Sequence, residues 1–188
     1  YDKSYDVDSR SRSGGIGLFW NDSIKVKILG YSDYHLDVSV EEDEQEIWRM
    51  TCVYGEAQTH LRHQTWQVLK NISTLSTLPW LCIGDFNEVL RPNEHVGIGQ
   101  RSNAQIQAFR EATYVCMLMD IGYNGRSWTF EKKVKGGSYT RCRLDRALAN
   151  PQWMTRFPLA SLEHHDAATS DHSPIFLDMG RAQEGAKN

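Results

Sequence analysis

Short apolar runs that end in polar turns recur along this chain, and no other feature constrains its fold as strongly. Leu81-Cys82-Ile83 runs into Gly84-Asp85-Phe86-Asn87, and Ser170-Asp171-His172-Ser173-Pro174 leads into Ile175-Phe176-Leu177. Runs of this length bounded by Gly, Asp, Ser and Pro read as buried strands closing in turns. A third polar motif, Arg143-Leu144-Asp145-Arg146, sits inside a run from Arg141 to Leu148 that reads as one more strand. The arrangement puts carboxylates and an imidazole at strand tips, where a rigid sheet can aim them into one cleft.

The rest of the chain follows the same grammar. Tyr1 to Ser13 is polar and reads as a loop or a frayed edge, and Gly14 to Trp20 as a strand entered through glycines. Ile24 to Leu29 and Leu36 to Val40 alternate as half-exposed strands do, and Ile47 to Tyr54 returns after an acidic hairpin tip, Glu41 to Glu46. A run of like charges at such a tip reads as a solvated loop rather than a metal site. Leu61, Trp66, Leu69 and Ile72 fit one face of a helix from His60 to about Leu75. Ser102 or Asn103 can cap a second helix carrying Ile106, Phe109, Thr113 and Cys116. Trp128 to Phe130 reads as a further strand. Hairpins are too many for a doubly wound parallel sheet, so two mostly antiparallel sheets packed face to face, with helices outside, are expected: an α+β sandwich. No repeat or linker divides the chain, which predicts one domain over residues 1–179 and a disordered tail over 180–188.

The 188 residues have the composition of an ordinary soluble globular protein, and the net charge of -3 argues against holding nucleic acid by bulk electrostatics alone. Local positive charge, or a bound cation, remains compatible with it. Cys52, Cys82, Cys116 and Cys142 are scattered without zinc-ligand spacing and read as reduced thiols. No apolar stretch is long enough to span a membrane, and an intracellular location, nuclear or cytoplasmic, is expected. The chain opens at Tyr1 without a Met and reads as a piece of a longer protein.

Asp85 and Asn87 are two apart, so on an extended strand end they share a side and can hold a water and a phosphate oxygen together. Gly-Asp-Phe-Asn is equally a common turn whose Asx side chains bond the backbone. His172 titrates where proton transfer at neutral pH needs it, with Asp171 beside it as an oxygen ligand for a hard cation. Asp145 can accept a hydrogen bond from a ring nitrogen of His172 and fix its tautomer, or can be a salt-bridged surface residue between its arginines. Lys132, Lys133, Lys135, Arg141, Arg143 and Arg146, interleaved with Trp128, Phe130 and Tyr139, form a basic cluster running into Asp145. It reads as a phosphate-contacting flank of the cleft or as a solvated hairpin.

In this order, Val53-Tyr54-Gly55, Gly84-Asp85-Phe86-Asn87, Arg143-Leu144-Asp145 and Ser170-Asp171-His172-Ser173-Pro174 resemble the motifs of the endonuclease/exonuclease/phosphatase superfamily, the DNase I-like fold. Ser13-Gly14-Gly15, Gly125 to Lys133 and Arg143 to Asn150 bring the chain nearest to the endonuclease domain of plant LINE-type non-LTR retrotransposons. The resemblance runs from about Tyr5 to Met179. It implies a four-layer αββα sandwich and hydrolysis of phosphodiesters, with DNA as partner and Mg²⁺ or Mn²⁺ as cofactor. Carried over by motif, His172 would be the catalytic histidine, as general base or as a group stabilising the phosphorane, and Asp145 would orient it. Asp85 would position the attacking water, Asn87 would hydrogen-bond the scissile phosphate, Tyr54 would reach a phosphate oxygen and Asp171 would help hold the metal. Relatives open with a strand ending in Asn and another ending in a metal-binding Glu. Neither has a counterpart here, where no Glu precedes Glu41. That implies a sheet short of one or two strands and a weakened metal site. Two functions follow: a metal-dependent DNA endonuclease domain of weak or no activity, or a non-catalytic, domesticated fragment that binds nucleic acid or a protein partner.

Overall fold

The computed structural model describes residues 1–8, 14–42, 47–133, 136–167 and 169–180. Fourteen strands alternate with three α-helices among them. They run β1 (Lys3–Val7), β2 (Ile16–Trp20), β3 (Lys25–Ser32), β4 (His35–Glu41), β5 (Ile47–Tyr54), α1 (His63–Ser73), β6 (Trp80–Asp85), β7 (His95–Val96) and α2 (Asn103–Val115). There follow β8 (Met119–Asp120), β9 (Asn124–Gly125), β10 (Phe130–Lys133), β11 (Tyr139–Cys142), β12 (Asp145–Ala149), α3 (Pro151–Arg156), β13 (Ser161–His164) and β14 (Ile175–Asp178).

The centre is a six-stranded sheet in the order β3-β4-β5-β6-β12-β8. Side chains alternate across its two faces, as the strand period of two requires. Val53, Trp80, Cys82 and Leu148 meet Trp66, Leu69, Ile72 of α1 and Phe109, Ala112 of α2 on one face. Trp66 and Phe109 stack at 4.5 Å there. On the other face Leu36, Val38, Val40, Trp48, Leu81, Ala147 and Ala149 meet a second layer that supplies Val7, Leu18, Leu162, Ile175 and Leu177. That second layer comes in two pieces, the β1-β2 hairpin and the sheet β14-β13-β9. This is the expected α+β sandwich. The described residues supply three of its layers, and the outer face of the third exposes Phe19 and Phe176.

Caps and turns fit the residues that form them. Ser102 begins α2 as its cap, accepting the Gln105 N–H while the Gln105 side chain accepts from the Ser102 N–H. Asn150 caps α3 and accepts a hydrogen bond from Trp80 N at 2.9 Å, tying the end of β12 to the start of β6. Two readings of the strands are corrected. Lys3–Val7 is not a loop: it pairs antiparallel with Ile16–Trp20 because Tyr5 and Val7, two apart, find an apolar layer beneath them. Arg141 to Leu148 is not one strand. It breaks at Arg143 and Leu144, and the break sends β11 to β10 and β7 while β12 joins the central sheet. The residues Asp43 to Glu46 of the acidic tip, Ser13, and the tail from Arg181 onward lie outside the described residues. All four cysteines are free thiols. No helix among the described residues is long and apolar enough to cross a membrane.

One buried ion pair is built into the central sheet beneath α1. Arg49 on β5 meets both oxygens of Asp37 on β4 at 2.8 to 3.0 Å and donates to the Ile72 carbonyl at the end of α1. Thr51 donates to Asp37 at 2.7 Å and receives the Trp80 indole N–H at 2.8 Å. Removing one partner of such a pair strands a charge in the core. Arg49→Met is therefore expected to destabilise the protein by about 3–5 kcal/mol, and Asp37→Asn/Arg49→Met by much less, as read from urea unfolding.

Candidate active site

Tyr54, Asp85 and Asp145 stand in a row across three neighbouring strands at one end of the central sheet. Tyr54 is opposite Asp85 in the parallel β5/β6 pair, and Asp85 is opposite Asp145 in the antiparallel β6/β12 pair. Two glycines let the strand ends draw together. Gly84 has a φ of +137°, and a Cβ on it would stand 2.2 Å from the Val53 carbonyl oxygen. A Cβ on Gly55 would stand 2.5 Å from the Phe86 carbonyl oxygen. Phe86 is fully buried against Phe109, so the Gly-Asp-Phe-Asn turn is pinned to the helical face from below.

The turn itself is closed by Asn87, which adopts a left-handed φ of 54°. Its backbone N–H donates to Asp85 Oδ1 at 2.7 Å, and its side-chain amide donates to Asp85 Oδ2 at 2.9 Å and to the Gly55 carbonyl at 2.8 Å. His172 reaches the row from the loop before β14. Its Nδ1 donates to Asp145 Oδ2 at 2.9 Å, which leaves Nε2 facing Asp85 Oδ2 at 4.0 Å. Phe130 packs its edge against the imidazole at 5.1 Å. Ligand atoms of Asp85, Asp145 and His172 all lie within 4.8 Å of one another, the arrangement a divalent cation can use.

Asp171 is not in that group. It is exposed at the rim, with its carbonyl accepting from Glu131 N at 2.8 Å, and its charge adds to those favouring protonated His172. Tyr54 is half-buried; burial, with Asp85 next to it, pushes its phenol up, opposed by the Gly14 N–H. The bond to Asp145, working against burial, holds the His172 imidazole above its ordinary 6.5.

Thr129 was invisible to sequence reasoning because it sits in an aromatic run that reads as plain strand. It is completely buried, and its Oγ1 accepts the Leu144 and Asp145 N–H groups at 3.0 and 2.9 Å. Its carbonyl accepts the Ser173 N–H at 2.6 Å. One residue thus fixes both the Asp145 end of β12 and the segment after His172.

The basic cluster divides in two. Lys132 and Lys133 are exposed on β10, and Arg141 on β11 pairs with Glu131 while its guanidinium lies over Trp128 at 4.3 Å and Tyr139 at 5.4 Å. Lys135 lies outside the described residues. Arg143 and Arg146 correct the sequence reading: they are internal. Arg143 bonds Asp120 at 2.6 and 2.8 Å and covers Tyr123, and Arg146 bonds Glu94 and Asp120 at 2.9 Å each. Glu94 and Asp120 are far away in sequence, so nothing local announced that these arginines were spoken for.

Burial, with Asp145 opposite as the second cause, pushes the Asp85 carboxyl up to about 6 from its ordinary 3.8. The folded protein binds this proton more tightly than the unfolded chain does. The sign follows: stability contributed by this group is greatest below the unfolded value and is lost as pH rises through about 6. A shift of roughly two units corresponds to about 3 kcal/mol. Asp85→Asn is therefore expected to raise the Tm of the EDTA-treated protein at about pH 8 and to leave it unchanged at about pH 3. Equal melting of the two proteins at both pH values would contradict the buried-carboxylate account.

Comparison with known proteins places this geometry in context. Among solved structures, the chain is similar to the endonuclease domain of TRAS1, a telomere-specific non-LTR retrotransposon, with a TM-score of 0.74, 14% identity, and coverage of 96% of this chain and 81% of that one. It is also similar to the 3' phosphatase NExo from Neisseria bound to product DNA hairpin, with a TM-score of 0.61, 13% identity, and coverage of 93% and 79%. A third is truncated TDP2 of Caenorhabditis elegans, with a TM-score of 0.53, 12% identity, and coverage of 92% and 73%. At these identities the likeness is one of fold. No curated protein matches the chain by sequence. Residues 1–172, which carry the whole row of carboxylates and reach His172, match the Endonuclease/Exonuclease/phosphatase family. The chain is a member of that family.

Proposed function

We propose that this domain is a metal-dependent DNA endonuclease of retrotransposon origin, hydrolysing phosphodiester bonds at the Asp85–Asp145–His172 row. The observation that carries the reading is the His172 Nδ1 bond to Asp145 at 2.9 Å, which turns Nε2 toward Asp85 at 4.0 Å. With Nδ1 holding the proton, Nε2 keeps its lone pair. A water donating to the Asp85 carboxylate then lies within reach of Nε2, which takes its proton as the oxygen attacks phosphorus. The P–O bond opposite breaks, and its oxygen leaves with the bonding pair and takes a proton from solvent water. Asp145 stabilises the imidazolium so formed. Tyr54 donates its hydroxyl to a phosphate oxygen, and the Asn87 amide exchanges its bond to Asp85 for another. The donor set fits a divalent cation: Asp85 and Asp145 offer carboxylate oxygens, with Asp171 at the rim as the outer donor. Mg²⁺ or Mn²⁺ held there would supply neutralising charge to the phosphate.

The β10-β11 hairpin flanks the row, since Phe130 on β10 packs against His172. Its exposed Lys132 and Lys133 suit phosphates, and the Trp128–Arg141–Tyr139 stack offers an aromatic and cationic face to a strand. Internal Arg143 takes no part.

Purified protein is expected to nick supercoiled plasmid in Mg²⁺ and to stop in EDTA. Asp85→Ala and His172→Ala are each expected to reduce the rate by at least about a hundredfold, the lower end for loss of a general base. Nicking by both variants at the parent's rate would assign the activity to a contaminant and favour a non-catalytic binding module. For the hairpin, Lys132→Ala/Lys133→Ala is expected to flatten the slope of log affinity against log salt by about 2, whatever the DNA sequence. An unchanged slope would make the hairpin a solvated one.

A further inference from the structure

The turn that carries Asp85 and Asn87 is tied to the rest of the protein by a buried charge pair that the mechanism does not use. Glu88 follows Asn87 directly and is 1% exposed. Its Oε2 accepts from Arg62 Nη1 at 2.7 Å, and its Oε1 accepts the Val89 N–H at 2.9 Å with Arg101 Nε at 3.4 Å. Arg62 precedes α1, and its remaining donors go elsewhere: Nε to the Glu56 carbonyl at 3.2 Å and Nη2 to the Ala57 carbonyl at 3.0 Å. A single guanidinium therefore staples the segment after β5 to the segment after β6.

Those two segments hold the groups that would meet the phosphate. Tyr54 ends β5, Asn87 closes the turn after β6, and the Asn87 amide depends on the Gly55 carbonyl for one of its bonds. The staple also borders the left-handed residue of the turn, Asn87, a conformation that Asn adopts more readily than most side chains do. As stabilising devices, buried ion pairs are poor: a well-packed apolar pair of similar size is often as stable or more so. An apolar pair would fill the space without fixing direction. A guanidinium whose three nitrogens each have a separate target fixes the two segments in distance and in angle.

We propose that Arg62 and Glu88 are positioning residues of the active site, locking the segment after Tyr54 to the Asp85–Asn87 turn so that the Asn87 amide is held ready for the phosphate. The inference rests on the nuclease reading for its consequence in rate, but not for its consequence in geometry. Substitution should cost turnover out of proportion to stability, since displacing a positioned group by about 1 Å can cost roughly a hundredfold in rate.

The test is Arg62→Met/Glu88→Leu, which removes both charges and fills their volume. The expected result is a Tm equal to or above the parent's, a kcat in plasmid nicking lower by about a hundredfold, KM little changed, and faster solvent exchange of the Asn87 side-chain amide by NMR. Should the double variant fail to fold, Arg62→Lys keeps the charge opposite Glu88 but cannot reach both carbonyls, and the same loss of kcat is expected. A stable variant with the parent's kcat and the parent's Asn87 exchange overturns the proposal. If the parent itself does not nick DNA, the nuclease reading fails alone, and the exchange rate of the Asn87 amide decides this one: faster exchange supports it and unchanged exchange overturns it.

Discussion

Two carboxylates opposed across one strand pair set the terms for everything around them. The β6/β12 ladder puts Asp85 directly opposite Asp145 at the sheet's end. Residues in such positions have Cβ atoms about 4.5–5.5 Å apart, and like charges there repel. The site answers with donors. His172 satisfies Asp145 on one side, Thr129 fixes the backbone beneath it, and Asn87 gives Asp85 two N–H groups. Even so burial first, and Asp145 opposite second, keep the Asp85 carboxyl raised.

Charge is used differently elsewhere in the molecule. Arg49 with Asp37, Arg62 with Glu88, and Arg143 and Arg146 with Asp120 and Glu94 are all largely withdrawn from solvent. Arg49 ties the sheet to the end of α1, Arg62 ties one loop to the next, and Arg146 ties β12 to the turn before β7, where no ladder joins them, while the bonds to Asp120 reinforce the β12/β8 pair. The net charge of -3 conceals this, because several of the cations it counts never face a ligand. Only part of the basic cluster is available to a polyanion, and it is concentrated on the hairpin beside His172.

The sequence announced the parts of the site whose signal is local. Gly-Asp-Phe-Asn at the end of an apolar run, and Ser-Asp-His before one, mark strand ends whatever the tertiary context, and the structure brings Asp85, Asn87, Asp145 and His172 together. Long-range facts were not legible. The pattern around Arg143 is periodic through the point where β11 and β12 part, so the break was read as a continuous strand and two internal arginines as surface ones. Lys3–Val7 carries too few apolar residues to declare itself without its partner. Thr129 and Glu88 look like ordinary members of their segments, and their roles depend on groups that are brought close only by folding. The short strands β7, β8 and β9, two residues each, lie below what periodicity can register.

The second layer's division into two pieces gives the site an uneven mounting. Asp85 and Asp145 belong to the continuous central sheet, whereas His172 hangs from the loop ahead of β14, which among the described residues is laddered only to β13. Imidazole and carboxylates are therefore fastened to separate slabs, joined at this corner by Thr129, by the Glu131 N–H on the Asp171 carbonyl and by an apolar seam. The spacing between Nδ1 and Asp145 is an alignment between slabs rather than a property of either one. A load applied to the β10-β11 hairpin, whose Phe130 packs against His172, would act on that alignment directly, so that the exposed hairpin is a lever on the spacing between the imidazole and Asp145.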